Sequence, residues 1–114
     1  MGIQDREHLE VTTQTQLLAW LKRNHARSLG VWVVTFKKST GKPAPTYDEI
    51  VKAALTYGWV DSVPGIVDDQ QTKLYLAPRK PKSAWSKTNK VRVAELIKNG
   101  QMAPAGLQAV ENAK

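Results

Sequence analysis

The sequence predicts a compact α+β fold, in which a small antiparallel sheet of three strands packs with about four helices in the order α-β-α-β-β-α-α. The β-branched and aromatic run VWVVTF at residues 31–36 is typical of a central strand. Two capping-box motifs precede segments in which apolar residues recur with helical spacing. The length of 114 residues, with 41% hydrophobic residues and four Trp, is enough for one buried core, so we expect residues 1–114 to form a single domain.

The first element of this fold is expected to be a helix that follows a mobile N-terminal segment, residues 1–12. The motif TQTQ at residues 13–16 predicts a capping box, in which the first Thr and the last Gln bond each other's backbone amides. Apolar residues then recur with helical spacing as far as about His25. Gly30 ends this region, and the chain enters the predicted strand at residues 31–36.

A loop and a second helix follow this strand. The stretch KKSTGKPAP at residues 37–45 is rich in turn-forming residues and is predicted to be the loop. The motif TYDE at residues 46–49 is a second capping box, and its two acids lie at the positive end of the helix dipole. The helix is expected to end at Gly58, which fits a left-handed C-terminal cap.

Two short strands are predicted next. Residues 59–62 (WVDS) form the first, and the alternating residues 72–77 form the second. Residues 63–71, which contain the turn-forming pair Pro-Gly, are expected to connect them without strand structure.

Two helices complete the predicted domain. Either Ser83 or Ser86 caps the first of them, which runs to Asn99. Its inward-facing residues are expected to be Val93, Leu96 and Ile97. Pro104 suits the first turn of the last helix. The residues of that helix expected to cover the core are Leu107 and Val110.

The net charge of +7 is concentrated in one segment. Residues 79–98 hold seven basic residues and one acidic residue, whereas residues 1–78 hold nine basic and eight acidic residues. A positive field concentrated in this way favours an anionic partner. The alternative is a solvated basic face that only aids solubility.

Composition and motifs exclude several classes of protein. The chain has no cysteine, which excludes disulfides, zinc-thiolate sites and cysteine catalysis. No apolar run approaches the ~18 residues of a transmembrane helix, and the N-terminus resembles no secretory signal, so we expect a cytoplasmic protein without membrane insertion. His8 and His25 lack metal-ligand spacing, and no phosphate loop or nucleophile motif is present. We predict no metal, no cofactor and no catalytic residue.

The stretch APRKPKSAWSKTNKVR at residues 77–92 is the candidate site, because it combines a stiff basic approach with the start of a helix. Pro78 and Pro81 restrict the backbone around the basic residues, which lowers the entropic cost of ordering their side chains together. The helix N-terminus adds unpaired amides and a partial positive charge that favour phosphate or carboxylate. The residues expected to bind the anion are Arg79, Lys80, Lys82, Ser83, Ser86, Asn89 and Arg92.

Three further residues are expected to support this site: Trp59, Asp61 and Trp85. Trp85 would anchor the turn in the core, with Asn89 and Arg92 at i+4 and i+7 on the same side if the helix begins by Trp85. Asp61 lies at the end of a predicted strand, where a half-buried carboxylate needs a partner. We therefore predict that Asp61 pairs with a basic residue of the segment Arg79–Arg92.

Most of these residues also have a purely structural interpretation. Ser83 and Ser86 would then only cap the helix, and Trp85 would only fill the core. Arg92 would pair with Glu95 at i+3, which contributes a few tenths of a kcal/mol.

Several long motifs resemble the YdeI/OmpD-associated family, also called bacteriocin-protection proteins. The motifs are ALTYGWVDS at residues 54–62, PRKPKSAWSKTNKVR at residues 78–92 and GQMAPAGL at residues 100–107. Shorter matches at residues 20–49 extend the resemblance over nearly the whole chain. The resemblance implies a bacterial role in envelope stress or bacteriocin tolerance, and it implies no agreed biochemistry.

Three functions remain open on this evidence. The favoured one is a non-enzymatic binding protein that holds an anionic small ligand or an acidic protein surface against residues 79–92. A nucleic-acid-binding protein that uses the same basic face is the second, although one Trp among the basic residues is a weak stacking platform. A small-molecule enzyme is the least favoured, because the sequence shows no nucleophile–base pair.

Overall fold

Helices pack against a mixed sheet in the computed structural model, which describes residues 3–80 and 85–112. The strands in this part of the chain are β1 (Glu7–Glu10), β2 (Val31–Phe36), β3 (Trp59–Ile66) and β4 (Gln71–Pro78). The helices are α1 (Gln14–Asn24), α2 (Tyr47–Thr56), α3 (Lys87–Lys98) and α4 (Pro104–Asn112). Two 3-10 turns, Ile3–Asp5 and Lys38–Thr40, are added to them. The α+β class and the four helices are therefore as predicted for the described residues.

The predicted three-stranded antiparallel sheet is wrong, because the described residues form a four-stranded sheet with the order β1-β2-β4-β3. β1 pairs with β2 in parallel, and the other neighbouring strands pair antiparallel. The order of elements is consequently β-α-β-α-β-β-α-α and not the one predicted. Residues 7–10 belong to the sheet, although the sequence analysis placed them in a mobile N-terminal segment.

β1 has a short and mostly charged sequence, EHLE, which explains why its pattern predicts no strand. Leu9 is its one aliphatic residue, and it packs partly buried against the main core. The neighbouring acid Glu7 accepts a hydrogen bond from the indole Nε1 of Trp20 at 3.2 Å. Tertiary contacts therefore stabilise a strand that has little intrinsic preference for this conformation.

β3 is longer than predicted, since it continues through residues 63–66 instead of ending at residue 62. Its pairing with β4 shifts register between Asp61 and Pro64. β3 is an edge strand with β4 as its one neighbour in the sheet, and an edge strand tolerates a proline such as Pro64, which has no backbone N–H to donate. The apolar positions of the hairpin therefore lose the strict alternation from which a strand is recognised in sequence.

Both predicted capping boxes are confirmed. The Thr13 and Thr46 side chains accept hydrogen bonds from the backbone amides of Gln16 and Glu49, and both boxes are reciprocal. Gly58 follows α2 with φ of 78°, the left-handed conformation expected of a helix stop. α3 begins after Ser86, which resolves the choice between the two candidate cap serines.

The core consists of two clusters that meet at α2. The larger cluster joins the inner face of β2 and β4 to α1 and α2, and it includes Trp59, whose ring meets Trp20 edge-on. The smaller cluster joins the other side of α2 to α3, with Trp85 and Val110 packed against it. No described helix combines the length and apolarity needed to cross a lipid bilayer.

Two predicted core residues are wrong. Ile97 is 47% exposed and Leu107 is 44% exposed. Val93 and Leu96 are buried as predicted, because they face α2 while Ile97 faces away from it. In α4 the buried residue is Gly106, because the helix approaches the end of α2 too closely for a side chain at this position.

Candidate functional site

The end of the β3–β4 hairpin brings Asp61 and Arg79 to the same region of the surface. In the hairpin register, Trp59 lies opposite Pro78, and Asp61 lies opposite Leu76. The Arg79 amide then donates to the Gly58 carbonyl at 3.0 Å, which extends the pairing beyond β4. The backbone of the basic segment is therefore attached to the sheet at Arg79.

The N-terminus of α3 faces this end of the hairpin. Ser86 has extended backbone angles, and its hydroxyl accepts a hydrogen bond from the Asn89 amide at 3.1 Å. This cap satisfies one amide of the first turn, and the earlier amides of a helix have no partner within the helix. The end of α3 consequently carries unpaired donors and a partial positive charge.

A cavity of about 500 Å³ lies between the hairpin and α3. Its polar lining comes from Asp61, Ser62, Arg79, Lys80, Ser86 and Asn89. Five of these, Asp61, Arg79, Lys80, Ser86 and Asn89, define the hairpin–α3 cleft. Apolar contacts are supplied by Val60, Ala77 and Pro78. The volume is in the range of sites for small molecules.

Asn89 is a buried polar residue of the cleft with an unused donor. The residue is only 9% exposed, and its Oδ1 accepts a hydrogen bond from Arg92 Nη1 at 2.9 Å. Its Nδ2 donates no hydrogen bond to any residue in ranges 3–80 and 85–112. This nitrogen is not one of the enclosed polar atoms without a partner, so it is open to the cleft and is a candidate donor to a ligand.

Arg79 is held by an aromatic ring at the cleft. Its guanidinium carbon lies 4.0 Å from the centre of the Trp85 ring, a cation–π contact that fixes the orientation of the side chain. Burial lowers the pKa of the guanidinium, and the nearby charge of Asp61 opposes this shift. An arginine remains charged at neutral pH despite such a shift, so the cleft keeps its positive group.

Asp61 has a phenol as its hydrogen-bond partner. The Tyr47 hydroxyl donates to Asp61 Oδ2 at 2.6 Å. This bond raises the pKa of the Tyr47 hydroxyl above its ordinary value of 10.0, and burial adds to the effect. The predicted ion pair between Asp61 and a basic residue of the segment Arg79–Arg92 is not found among the described residues, and the charge of Asp61 acts on Arg79 by opposing the lowering of its pKa.

Arg92 lies behind the cleft and does not line it. Its Nε donates to Asp48 Oδ1 at 2.8 Å, and its Nη1 holds Asn89. The alternative pairing with Glu95 does not form, because Glu95 bonds Lys52 Nζ at 3.0 Å. Arg92 therefore orients the cleft through Asn89.

The structure brings four of the seven predicted anion-binding residues into one cleft: Arg79, Lys80, Ser86 and Asn89. Lys82 and Ser83 lie outside the described residues, as does Pro81. Of the supporting residues, Asp61 lines the cleft, whereas Trp59 is 1% exposed in the main core. Trp85 precedes the start of α3, so it does not share a helical face with Asn89 as predicted.

Tyr47 and Asp48 are the residues of this region that sequence reasoning missed. Both lie in the TYDE motif, which was interpreted only as a helix cap. Tyr47 is 56% exposed in the structure, and the signal available in the sequence was an aromatic residue followed by two acids. Their partners on β3 and α3 lie 14 and 44 positions away, too far for a local motif to reveal.

Comparison with protein-family models gives one match, to a domain of unknown function, DUF8412, over residues 9–109. The chain belongs to the DUF8412 family. The matched range contains all five residues of the hairpin–α3 cleft, so the cleft lies within the DUF8412 domain. No curated protein and no solved structure matches the chain. The DUF8412 match does not link the chain to the YdeI/OmpD-associated family, and that resemblance stays a hypothesis.

Proposed function

We propose that this chain is a non-enzymatic binding protein whose hairpin–α3 cleft accepts a small anion, a phosphate or a carboxylate. The observation that carries the proposal is the unused Nδ2 donor of Asn89, a residue that lines the same cavity as Arg79 and Lys80. An anionic oxygen at this point would gain a side-chain donor, the amides at the start of α3 and two cations. Charge-assisted hydrogen bonds of this kind are the strong ones.

The size of the cleft favours a small ligand over an acidic protein surface. The polar groups converge on one depression of about 500 Å³ that is open to solvent, a volume in the range of small-molecule sites. The absence of catalysis is part of the proposal, because Tyr47 already bonds the carboxylate of Asp61, and Ser86 already accepts from the Asn89 amide. The contact with Asp61 raises the pKa of the Tyr47 hydroxyl, which keeps it protonated, and the Ser86 hydroxyl has no basic side chain bonded to it among residues 3–80 and 85–112.

Nucleic-acid binding by the same face has less support. Single-stranded nucleic acids bind through aromatic rings on which bases stack. The Trp85 ring has Arg79 over one face and packs partly buried against the smaller core cluster. A ring held in this way offers little surface to a base.

The decisive experiment is a titration of the uniformly labelled protein with inorganic phosphate, and separately with acetate, followed through backbone amide shifts. Saturable shifts of Arg79, Lys80 and residues 86–89 support the site. The variant Lys80→Ala should weaken binding severalfold, because Lys80 is exposed and its loss removes a cation from the cleft. Lys98→Ala is the matched control, since it removes the same charge from the opposite end of α3.

Equal effects of the two lysine variants would show that the protein attracts anions only through its net charge, and would overturn the proposal. A steep dependence of nucleic-acid binding on salt, with an affinity above that for phosphate, would favour the second function.

The cytoplasmic location and the role in envelope stress or bacteriocin tolerance belong to this proposal as well. Cell fractionation tests the location, and survival of a deletion strain under envelope stress or bacteriocin challenge tests the role.

A further inference from the structure

The hairpin–α3 cleft contains a carboxylate that a site for a simple anion does not need. Asp61 lines the cavity together with the two cations, and its side chain is half-buried. A carboxylate beside a bound anion repels it, and the repulsion is strong where water is partly excluded. Asp61 therefore lowers the affinity of the cleft for phosphate or acetate unless it contacts another part of the ligand.

The carboxylate has one oxygen available for such a contact. Oδ2 accepts the hydrogen bond from Tyr47, and Oδ1 accepts none from residues 3–80 or 85–112. No ion pair joins Asp61 to a described basic residue. Asp61 is therefore not explained as the ion-pair partner of a described basic residue.

Tyr47 holds the carboxylate in a fixed orientation. The hydrogen bond of 2.6 Å is charge-assisted, and its donor comes from the first turn of α2, an element that also contacts β3. Arg92 lies near the same tyrosine, with its guanidinium carbon 6.0 Å from the ring centre. Asp61 is consequently oriented by residues outside the cleft, as expected for a group that contacts a ligand.

We propose that the natural ligand of the cleft is a small zwitterion. This inference rests on the proposed anion site. The anionic group lies against Lys80, Arg79 and Asn89 Nδ2, and an ammonium group donates to Asp61 Oδ1. A short aliphatic spacer between the two charges lies on Val60, Ala77 and Pro78. Tyr47 is a positioning residue that acts through Asp61.

Two probes that differ by one ammonium group test the inference. Ethyl phosphate and O-phosphoethanolamine are titrated into the full chain by calorimetry, at a pH where both phosphates are dianions and the amine is protonated. The wild-type protein should bind phosphoethanolamine about tenfold more tightly, the increment of one favourable partly buried charge pair. Asp61→Asn should abolish this preference and tighten the binding of ethyl phosphate, because it removes the carboxylate that repels the anion and keeps an oxygen for the Tyr47 hydroxyl.

Tyr47→Phe provides a second variant that keeps the carboxylate. It should reduce the preference for phosphoethanolamine to a few-fold, while ethyl phosphate binds as in the wild type. This variant, with the two probes on the wild-type protein, tests the inference even if Asp61→Asn unfolds. Equal affinities for the two probes, both weakened by Lys80→Ala, would overturn the zwitterionic ligand and leave the anion site intact. Failure of both probes to bind would overturn the anion site and the zwitterion together.

Discussion

Arg92 on α3 donates a hydrogen bond to Asp48 on α2, with 2.8 Å between Nε and Oδ1. The same carboxylate accepts Lys52 Nζ at 3.3 Å from Oδ2, so that one acid joins two cations on two helices. Arg92 in turn holds Asn89 in the cleft. The first turn of α2 therefore determines how the start of α3 presents its donors.

Asp48→Asn should show that this contact depends on pH. The hydrogen bond from Arg92 lowers the pKa of Asp48 below its ordinary value of 3.8, and Lys52 adds to the effect. A carboxyl group whose pKa is depressed by folding contributes stability that is complete above pH 3.8 and is lost as the pH falls through the folded pKa. The free-energy difference between wild type and variant, from urea unfolding, should be positive at neutral pH and fall towards zero in acid.

Asp69→Asn is the matched control, because Asp69 is exposed in the turn between β3 and β4. This variant should track the wild type throughout the pH range. A difference for Asp48→Asn that stays constant into strong acid would contradict an electrostatic role for the contact.

Gly106→Ala should destabilise the protein by about 1–3 kcal/mol, the usual cost of overpacking. A Cβ at this position would collide with the Thr56 carbonyl and lie 2.8 Å from Met102 Cε. Leu107→Ala changes the neighbouring residue, which is 44% exposed, and should cost less than about 2 kcal/mol. Chemical denaturation of both variants measures the two losses of stability, and that of Gly106→Ala should be the larger. A larger loss for Leu107→Ala would mean that α4 buries the face that carries Leu107.

Ser86→Ala should cost about 1 kcal/mol, the typical value for the loss of an N-cap side chain. The Ser86 hydroxyl bonds the Asn89 amide, so the first turn of α3 should fray when it is removed. Thr13→Ala removes the corresponding cap from α1 and provides the reference value. Hydrogen exchange should rise at Asn89 in the Ser86 variant and at Gln16 in the Thr13 variant, because these amides donate to the two cap hydroxyls. Unchanged exchange at the start of α3 would mean that another group caps the helix.

Asp61→Asn should lower the pKa of Tyr47 towards its ordinary value. The hydrogen bond to the Asp61 carboxylate is the main cause of the raised pKa. A group whose pKa is raised by folding contributes stability that is complete below its unfolded pKa, here 10.0, and is lost as the pH rises through the folded pKa. The titration of the Tyr47 ring carbons by NMR measures this pKa directly. An identical titration in the variant would contradict the contact, and Asp68→Asn is a control in the distant turn.

Local patterns predicted the parts of the fold that depend on local chemistry. Residues 31–36 form a strand because β-branched side chains suit a buried sheet, and the Thr13 and Thr46 boxes begin helices through contacts only three residues apart. β1 was missed because its conformation depends on Trp20 and on the edge of β2, which no local pattern contains.

The candidate site also has one part that local sequence predicts and one part that it does not. One basic segment of eleven consecutive residues predicted Arg79, Lys80, Ser86 and Asn89 together. The support of the site comes from Tyr47 and Asp48, which reach Asp61 and Arg92 only after α2 has packed beside β3 and α3. Such contacts depend on tertiary packing and leave no periodic signal in the sequence.

The position of β2 in the sheet has a consequence for the chain while it is being synthesised. β2 lies between β1 and β4, but β4 is made about 40 residues later, which takes roughly 2–8 seconds at common translation rates. During this interval one edge of the uncharged segment VWVVTF has no strand beside it. Unpaired apolar edges recruit other chains. The nascent polypeptide is therefore most exposed to aggregation, and most in need of a chaperone, between the emergence of residue 36 and that of residue 78.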